Sequence, residues 1–189
     1  MTTLSKLYRT YAAMIFLAGG LFVITANLAV AQVTCPVGVI VNDGLPSING
    51  DHVFCGEING KGRAVGFHSR PGGDDPAGEG VTNVVITQTA NAMGIYNVSF
   101  KKNGVQKSLS TMFPDSCTKD EVVNSIFYAV ANQGVCPVGA PGWVVCGKNR
   151  PDSRMATQGP YCEGSDDANR FFVAIGLHRG KINTAFPLR

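Results

Sequence analysis

The sequence predicts an α+β fold: mainly antiparallel β-sheets with one covering helix, held by disulfides. Three observations predict it. Short runs at 83–88, 94–101 and 171–177 alternate or are continuously apolar and are bounded by Gly, Pro, Asn or Asp, as strands are. Residues 118–134 carry the best helical pattern, apolar side chains at helical spacing behind a capping signal. Six cysteines, at 35, 55, 117, 136, 146 and 162, follow an N-terminus that reads as an export signal, which argues for three disulfides made in an oxidising compartment.

That N-terminus is set apart first. Lys6 and Arg9 precede an uncharged apolar run that ends at Ala29-Val30-Ala31, the pattern of a signal peptide (1–31) cleaved after Ala31. An uncleaved anchor is the alternative, since the run approaches the roughly 20 residues that span a bilayer, but Gly19, Gly20 and Asn27 weaken it. Removing 31 of 189 residues leaves 158, so 32–189 is expected to be one domain with its own core. The leader takes two of the sixteen basic residues and none of the thirteen acidic ones, leaving fourteen against thirteen, a net charge of +1. Such a balance gives no general attraction for nucleic acid, so phosphate binding must come from where single Lys and Arg side chains stand. Zinc is the alternative use of the cysteines, but no Cys-x-x-Cys spacing occurs beside His52-x-x-Cys55. No metal or other cofactor is expected. Of the fifteen ways to pair six cysteines, only a Cys136–Cys146 loop is expected.

Along the chain, 32–49 reads as a strand, with Val37, Val39 and Val41 foremost, followed by a turn. Residues 63–68 alternate loosely, as a strand that would set Val65 and Phe67 on one face and Gly66 and His68 on the other. Residues 71–82 are a loop by composition, and its Asp74, Asp75 and Glu79 lack the calcium-loop pattern. Tyr96, Val98 and Phe100 face the core along the next strand while Asn97, Ser99 and Lys101 face away, and Asn103-Gly104 turns the chain into a hairpin. Thr118 and Glu121 make a capping box, Val122, Val123, Ile126, Phe127 and Val130 form a stripe that covers the sheet, and Gly134 ends the helix. Residues 135–169 read as a disulfide-tied excursion or two short hairpins, with Trp143 in the core rather than against a ligand. Strands over 171–177 and 181–186, joined by a turn at 178–180, close the chain.

Two of the three histidines, His52 and His68, flank Asn59-Gly60-Lys61-Gly62, where Asn-Gly supplies the positive-φ residues of a tight reversal. If the flanking segments fold back, two imidazoles share one site, one holding a proton while the other accepts one near neutral pH. Cleavage of RNA through its own 2′-hydroxyl needs such a pair. The spacing alone is equally that of two unrelated surface histidines. His178 reads as a turn residue.

Three blocks decide between these readings: GEINGKGRAVGFHSRPGG (56–73), STMFPDSCTKDEVVNSI (110–126) and GKINTAFPL (180–188). In this order they resemble the bacterial EndoU-type ribonucleases, known as toxin domains, through most of 50–188. The resemblance implies an EndoU-like nuclease that cleaves single-stranded RNA after uridine or another pyrimidine and leaves a 2′,3′-cyclic phosphate without an obligatory metal. It implies that His68 is the general base and His52 the general acid. A catalytic lysine is also implied; related sequences often carry it where this chain has Ser99. Lys101, two positions along on the same face, is the expected replacement, with Lys102, Lys107 and Arg70 as substitutes. Thr184-Ala185-Phe186-Pro187 fits the family's Thr-x-Tyr-Pro pattern with Phe for Tyr. Thr184 is therefore expected to hydrogen-bond the pyrimidine, Phe186 to stack on it and Arg70 to contact the substrate; a purely core role for Phe186 is the alternative. A tryptophan is common in the family where this chain has Cys117.

The expected protein is a secreted or periplasmic monomer, free of the membrane after leader cleavage. RNA is its substrate, and a cognate immunity protein is the partner that a toxin or effector role implies. A catalytically inactive EndoU-like binding protein is the alternative, motivated by Ser99 and Phe186, and a scavenging nuclease is a third.

Overall fold

The computed structural model describes residues 30–78, 80–152, 161–166 and 168–189. The leader expected over 1–31 lies outside them except for its last two residues, and Glu79 lies outside them too.

Two short strands open the domain, β1 (Val39–Ile40) and β2 (Ile48–Asn49), followed by a π-helical turn, Asp51–Cys55, that carries His52. Next, β3 (Glu57–Ile58) and β4 (Ala64–Val65) pair antiparallel across the expected reversal, where the Asn59 side-chain oxygen accepts from the Lys61 and Arg63 amides at 3.0 and 3.1 Å and the left-handed residue is Gly62, at φ 69°, not Asn59 or Gly60. A three-stranded antiparallel meander follows: β5 (Val81–Gln88), β6 (Tyr96–Lys102) and β7 (Val105–Met112). Asn103 and Gly104, at φ 48° and 82°, are the two left-handed positions that its second hairpin demands.

The helix α1 (Lys119–Ala131) starts on the expected capping box: the Thr118 hydroxyl accepts from the Glu121 amide at 3.2 Å, and the Glu121 carboxylate accepts from the Thr118 amide at 2.7 Å. It ends at Ala131, short of Gly134, which lies instead in β8 (Gln133–Gly134). With β9 (Val145–Lys148), β10 (Phe172–His178) and β11 (Lys181–Pro187), a six-stranded sheet forms in the order β1-β2-β11-β10-β9-β8, antiparallel except where β2 lies beside β11.

The α1 stripe belongs to one buried cluster with Val173, Ile175, Ile182 and Ala185 of this sheet. Each Val, Ile or Phe among them contributes about 1.5–3 kcal/mol on full burial. Side chains alternate across a sheet, so Ala174, Gly176, Thr184 and Phe186 lie on the face turned from the helix. A second core, Phe67, Tyr96, Val98, Phe100 and Met112, joins the meander to the segment after β4. The candidate site lies where these two units meet, β11 contacting both the Asp51–Cys55 turn and β7.

All six cysteines are oxidised, as Cys35–Cys55, Cys117–Cys162 and the expected Cys136–Cys146. No helix among the described residues is long and apolar enough to cross a membrane.

Two further expectations are corrected. The strand read over 63–68 stops at Val65, because Gly66 and Phe67 take left-handed φ of 72° and 60°. The cause is close approach: a Cβ on Gly66 would stand 2.2 Å from the His52 carbonyl oxygen. Trp143 is not in the core; it is 62% exposed. Gly176 provides its seat, where a Cβ would come within 2.7 Å of the indole ring.

Candidate active site

The turn that sequence predicts at Asn59-Gly60 brings the two histidine segments into backbone contact. The Phe67 amide donates to the His52 carbonyl at 2.7 Å, the His68 amide to the Val53 carbonyl at 2.6 Å, and the Phe113 amide to the His68 carbonyl at 2.7 Å. Left-handed Gly66 and Phe67 make this register reachable and turn Phe67 into the second core, edge-on to Phe100 at 4.9 Å. The Cys35–Cys55 bond pins the other segment within the same turn as His52. Both histidines are buried, with ring centroids 6.0 Å apart and planes inclined by 28°. An oxygen of one phosphodiester can reach each ring across that gap.

Each ring has one nitrogen occupied. His52 Nδ1 donates to Glu57 Oε2 at 2.8 Å, and the Asn49 side-chain amide donates to the same carboxylate at 3.2 and 3.3 Å. The His52 hydrogen bond, with help from Asn49, His52 charge and Lys102, outweighs burial and holds the Glu57 pKa below its ordinary value. Glu57 is thus a carboxylate at neutral pH, fitted to orient His52 and to balance an imidazolium there. His68 Nδ1 donates to the Thr111 carbonyl at 2.9 Å, which leaves Nε2 as the free nitrogen. Burial, followed by the charges of Lys107 and His52, pushes the His68 pKa well below the usual histidine value, against the Thr111 hydrogen bond. A neutral imidazole with a free Nε2 is a base.

The cation beside His68 is Lys107. Its Nζ donates to the Gly66 carbonyl at 2.7 Å and to the Ser110 hydroxyl at 2.9 Å; that hydroxyl lies 3.2 Å from His68 Nδ1. Burial lowers the Lys107 pKa to about 8. Lys101 is not brought here. It pairs with Gln106, whereas Phe100 pairs with Lys107, so alternation puts Lys101 on the opposite face of the meander. Lys102 is buried and donates to the Cys55 carbonyl at 3.2 Å. Arg70 is paired with Asp75 at 2.8 Å, near Tyr96 and Asp115, with no contact to either histidine described.

β11 supplies the opposite wall. The Phe186 ring stacks on His68 at 5.3 Å and 28°, and Thr184 lies on the same face of β11. The alternative of Phe186 as core alone does not hold, because its ring is only half-buried and faces His68. His178 is exposed as expected, but it ends β10, paired with Lys181, and the turn itself is Arg179-Gly180.

Glu57, Asn49 and Ser110 are the site members that sequence reasoning missed. Glu57 has a local signal, a carboxylate five residues from His52 on the same arm of the predicted turn. The roles of Asn49 and Ser110 follow only from tertiary contact.

Residues 47–189 match the family model described as bacterial EndoU nuclease. No curated protein and no solved structure matches the chain. The matched stretch contains His52, His68, Lys107, Thr184 and Phe186, as well as every strand from β2 onward. On that match over most of its length, the chain belongs to the bacterial EndoU nuclease family.

Proposed function

We propose that this nuclease is an RNA endonuclease that cleaves by internal transesterification where β11 meets the β4–β7 unit. The observation that carries the reading is the pair of buried imidazoles 6.0 Å apart, one tied to a carboxylate and the other to a backbone carbonyl beside an ammonium group.

His68 Nε2 removes the proton from the 2′-hydroxyl, and the 2′-oxygen attacks the adjacent phosphorus. Negative charge grows on the non-bridging oxygens, where the Lys107 ammonium stabilises it. His52, charge-balanced by Glu57, gives a proton to the departing 5′-oxygen. The products are a 2′,3′-cyclic phosphate and a 5′-hydroxyl, and each histidine ends in the other's starting protonation state. Thr184 hydrogen-bonds a pyrimidine edge and Phe186 stacks on it, so uridine or cytidine precedes the cut. Lys107 answers the Ser99 departure from the family pattern, one of the two grounds, with Phe186, for an inactive binding protein.

The three disulfides support a secreted or periplasmic setting. A toxin or effector role, neutralised by a cognate immunity protein, fits that setting.

The test is incubation of the oxidised protein with a short fluorescent RNA holding one uridine, in excess chelator. Cleavage to a cyclic phosphate is expected from the wild type, and a loss of about 10²–10⁴ in rate from His52→Ala or His68→Ala. A folded wild type that leaves the RNA intact returns the protein to the binding reading.

A further inference from the structure

The row of rings does not stop at Phe186. Four rings run in sequence: His52 to His68 at 6.0 Å, His68 to Phe186 at 5.3 Å, and Phe186 to Trp143 at 6.1 Å. The mechanism uses the first three. Trp143 is the only tryptophan in the chain, and it is 62% exposed although seated on Gly176. A large aromatic left in water on a fixed mount calls for an explanation, since such a side chain gains most from burial.

We propose that Trp143 is a second base-stacking subsite, which holds the nucleotide on the 5′ side of the one bound at Phe186. The proposal rests on the ribonuclease reading for its direction. The leaving 5′-oxygen is protonated at the His52 end of the row, and the cleaved nucleotide's base lies on Phe186. The strand therefore passes Trp143 as it runs toward its 5′ end.

Three features fit the indole for that use. Its seat is exact, because a Cβ on Gly176 would stand 2.7 Å from both the indole and the Thr184 methyl, so only glycine lets Trp143 lie over the strand beside Thr184. Its loop is closed by Cys136–Cys146, ten residues apart, so little conformational freedom is left to lose when a base binds. Its ring lies 6.1 Å from Phe186 at 49°, wider than the about 3.4 Å rise of a stacked strand. One base on each ring means an unstacked, extended strand, which is how aromatic side chains take single-stranded RNA. Exposed Val135 and Val138 on the same loop give it an apolar rim. A protein partner would use that rim too, but continuity with the catalytic rings favours RNA.

The test compares kcat/KM on two trinucleotides, adenosine-uridine-adenosine and the same molecule with an abasic 5′ residue, so that the phosphates are identical. The wild type should prefer the first by about 5- to 100-fold, the range that one stacked base spans. Trp143→Ala should bring the ratio to about 1, and Trp143→Phe should keep most of it. Binding is read separately through the sole tryptophan: the first trinucleotide with 2′-deoxyuridine should quench its fluorescence, and the abasic version should not. Quenching without cleavage of any RNA would retain the subsite and reject the ribonuclease reading. Cleavage with equal rates on both trinucleotides and no quenching would overturn the subsite and assign the Val135–Val138 rim to a protein partner.

Discussion

Lys107→Met should separate function from stability at this site. Burial takes the Lys107 pKa from 10.5 to about 8. That difference, at 1.36 kcal/mol per unit, means that keeping the ammonium in place costs the folded state about 3 kcal/mol wherever both states are protonated. Between the folded and unfolded pKa the unfolded chain binds more protons, so stability rises with pH. The cost is fully present below about pH 8 and is relieved as pH climbs toward 10.5. From about pH 7 to pH 10 the wild type should gain about 2–3 kcal/mol from this group alone. Methionine removes the charge together with the hydrogen bonds to Gly66 and Ser110, each contributing about 1 kcal/mol. Near pH 7 the variant should therefore match or exceed the wild type by about 1 kcal/mol, and near pH 10 it should fall below it. Urea unfolding at both pH values reads this, with the slope checked for constancy. Activity should move the other way: kcat/KM of the variant drops by about 10²–10³. Wild-type kcat/KM should also decline as pH rises through about 8. A variant equally destabilised at both pH values would refute the argument, since Lys107 would then be a structural contact and not a buried, poised ammonium.

Other outcomes follow from the same geometry. Glu57→Gln keeps the shape of the His52 partner and removes its charge, so kcat should fall by up to about 100-fold while KM stays near the wild-type value; an unchanged kcat would remove Glu57 from the site. Gly66→Ala places a Cβ 2.2 Å from the His52 carbonyl at φ 72°, so the melting temperature and the activity should drop together, by more than the about 1–2 kcal/mol of left-handed strain alone. Replacing Cys35 and Cys55 by serine opens a 20-residue loop and should lower stability by about 3 kcal/mol. Because Cys55 shares the His52 turn, activity should fall further than after loss of Cys136–Cys146; equal activity losses would show that the turn holds without the first bond.

Local signals in the sequence carried much of this architecture. The Thr118 capping box, the helical stripe from Val122 to Val130, the places of the two Asn-Gly reversals and the two closing strands each depend on neighbours within a few residues, and each is found in the structure, although the first reversal takes its positive φ at Gly62 and not at Asn59-Gly60. His52 and His68 were legible because one turn joins them. Lys107 was harder. On β6 the alternation correctly puts Lys101 opposite Phe100, but only cross-strand register reveals that Lys107 shares the Phe100 face. Gly66 and Phe67 misled for a related reason: their alternating pattern imitates a strand, and the left-handed backbone is imposed by the His52 segment packed against them. Trp143 read as core because large aromatics usually are, and nothing nearby in sequence announces Gly176 as its seat.

The central claim is that the attacking nucleophile is the 2′-hydroxyl of the RNA itself, activated by His68. Its most direct test is a chimeric strand of RNA with a single 2′-deoxyuridine at the position of cleavage, compared with the all-ribose strand in excess chelator. The all-ribose strand should be cut after uridine to a 2′,3′-cyclic phosphate, while the substituted strand survives at that position. Equal cleavage of the two strands would mean that water or another nucleophile attacks phosphorus, and the two-histidine transesterification would be wrong.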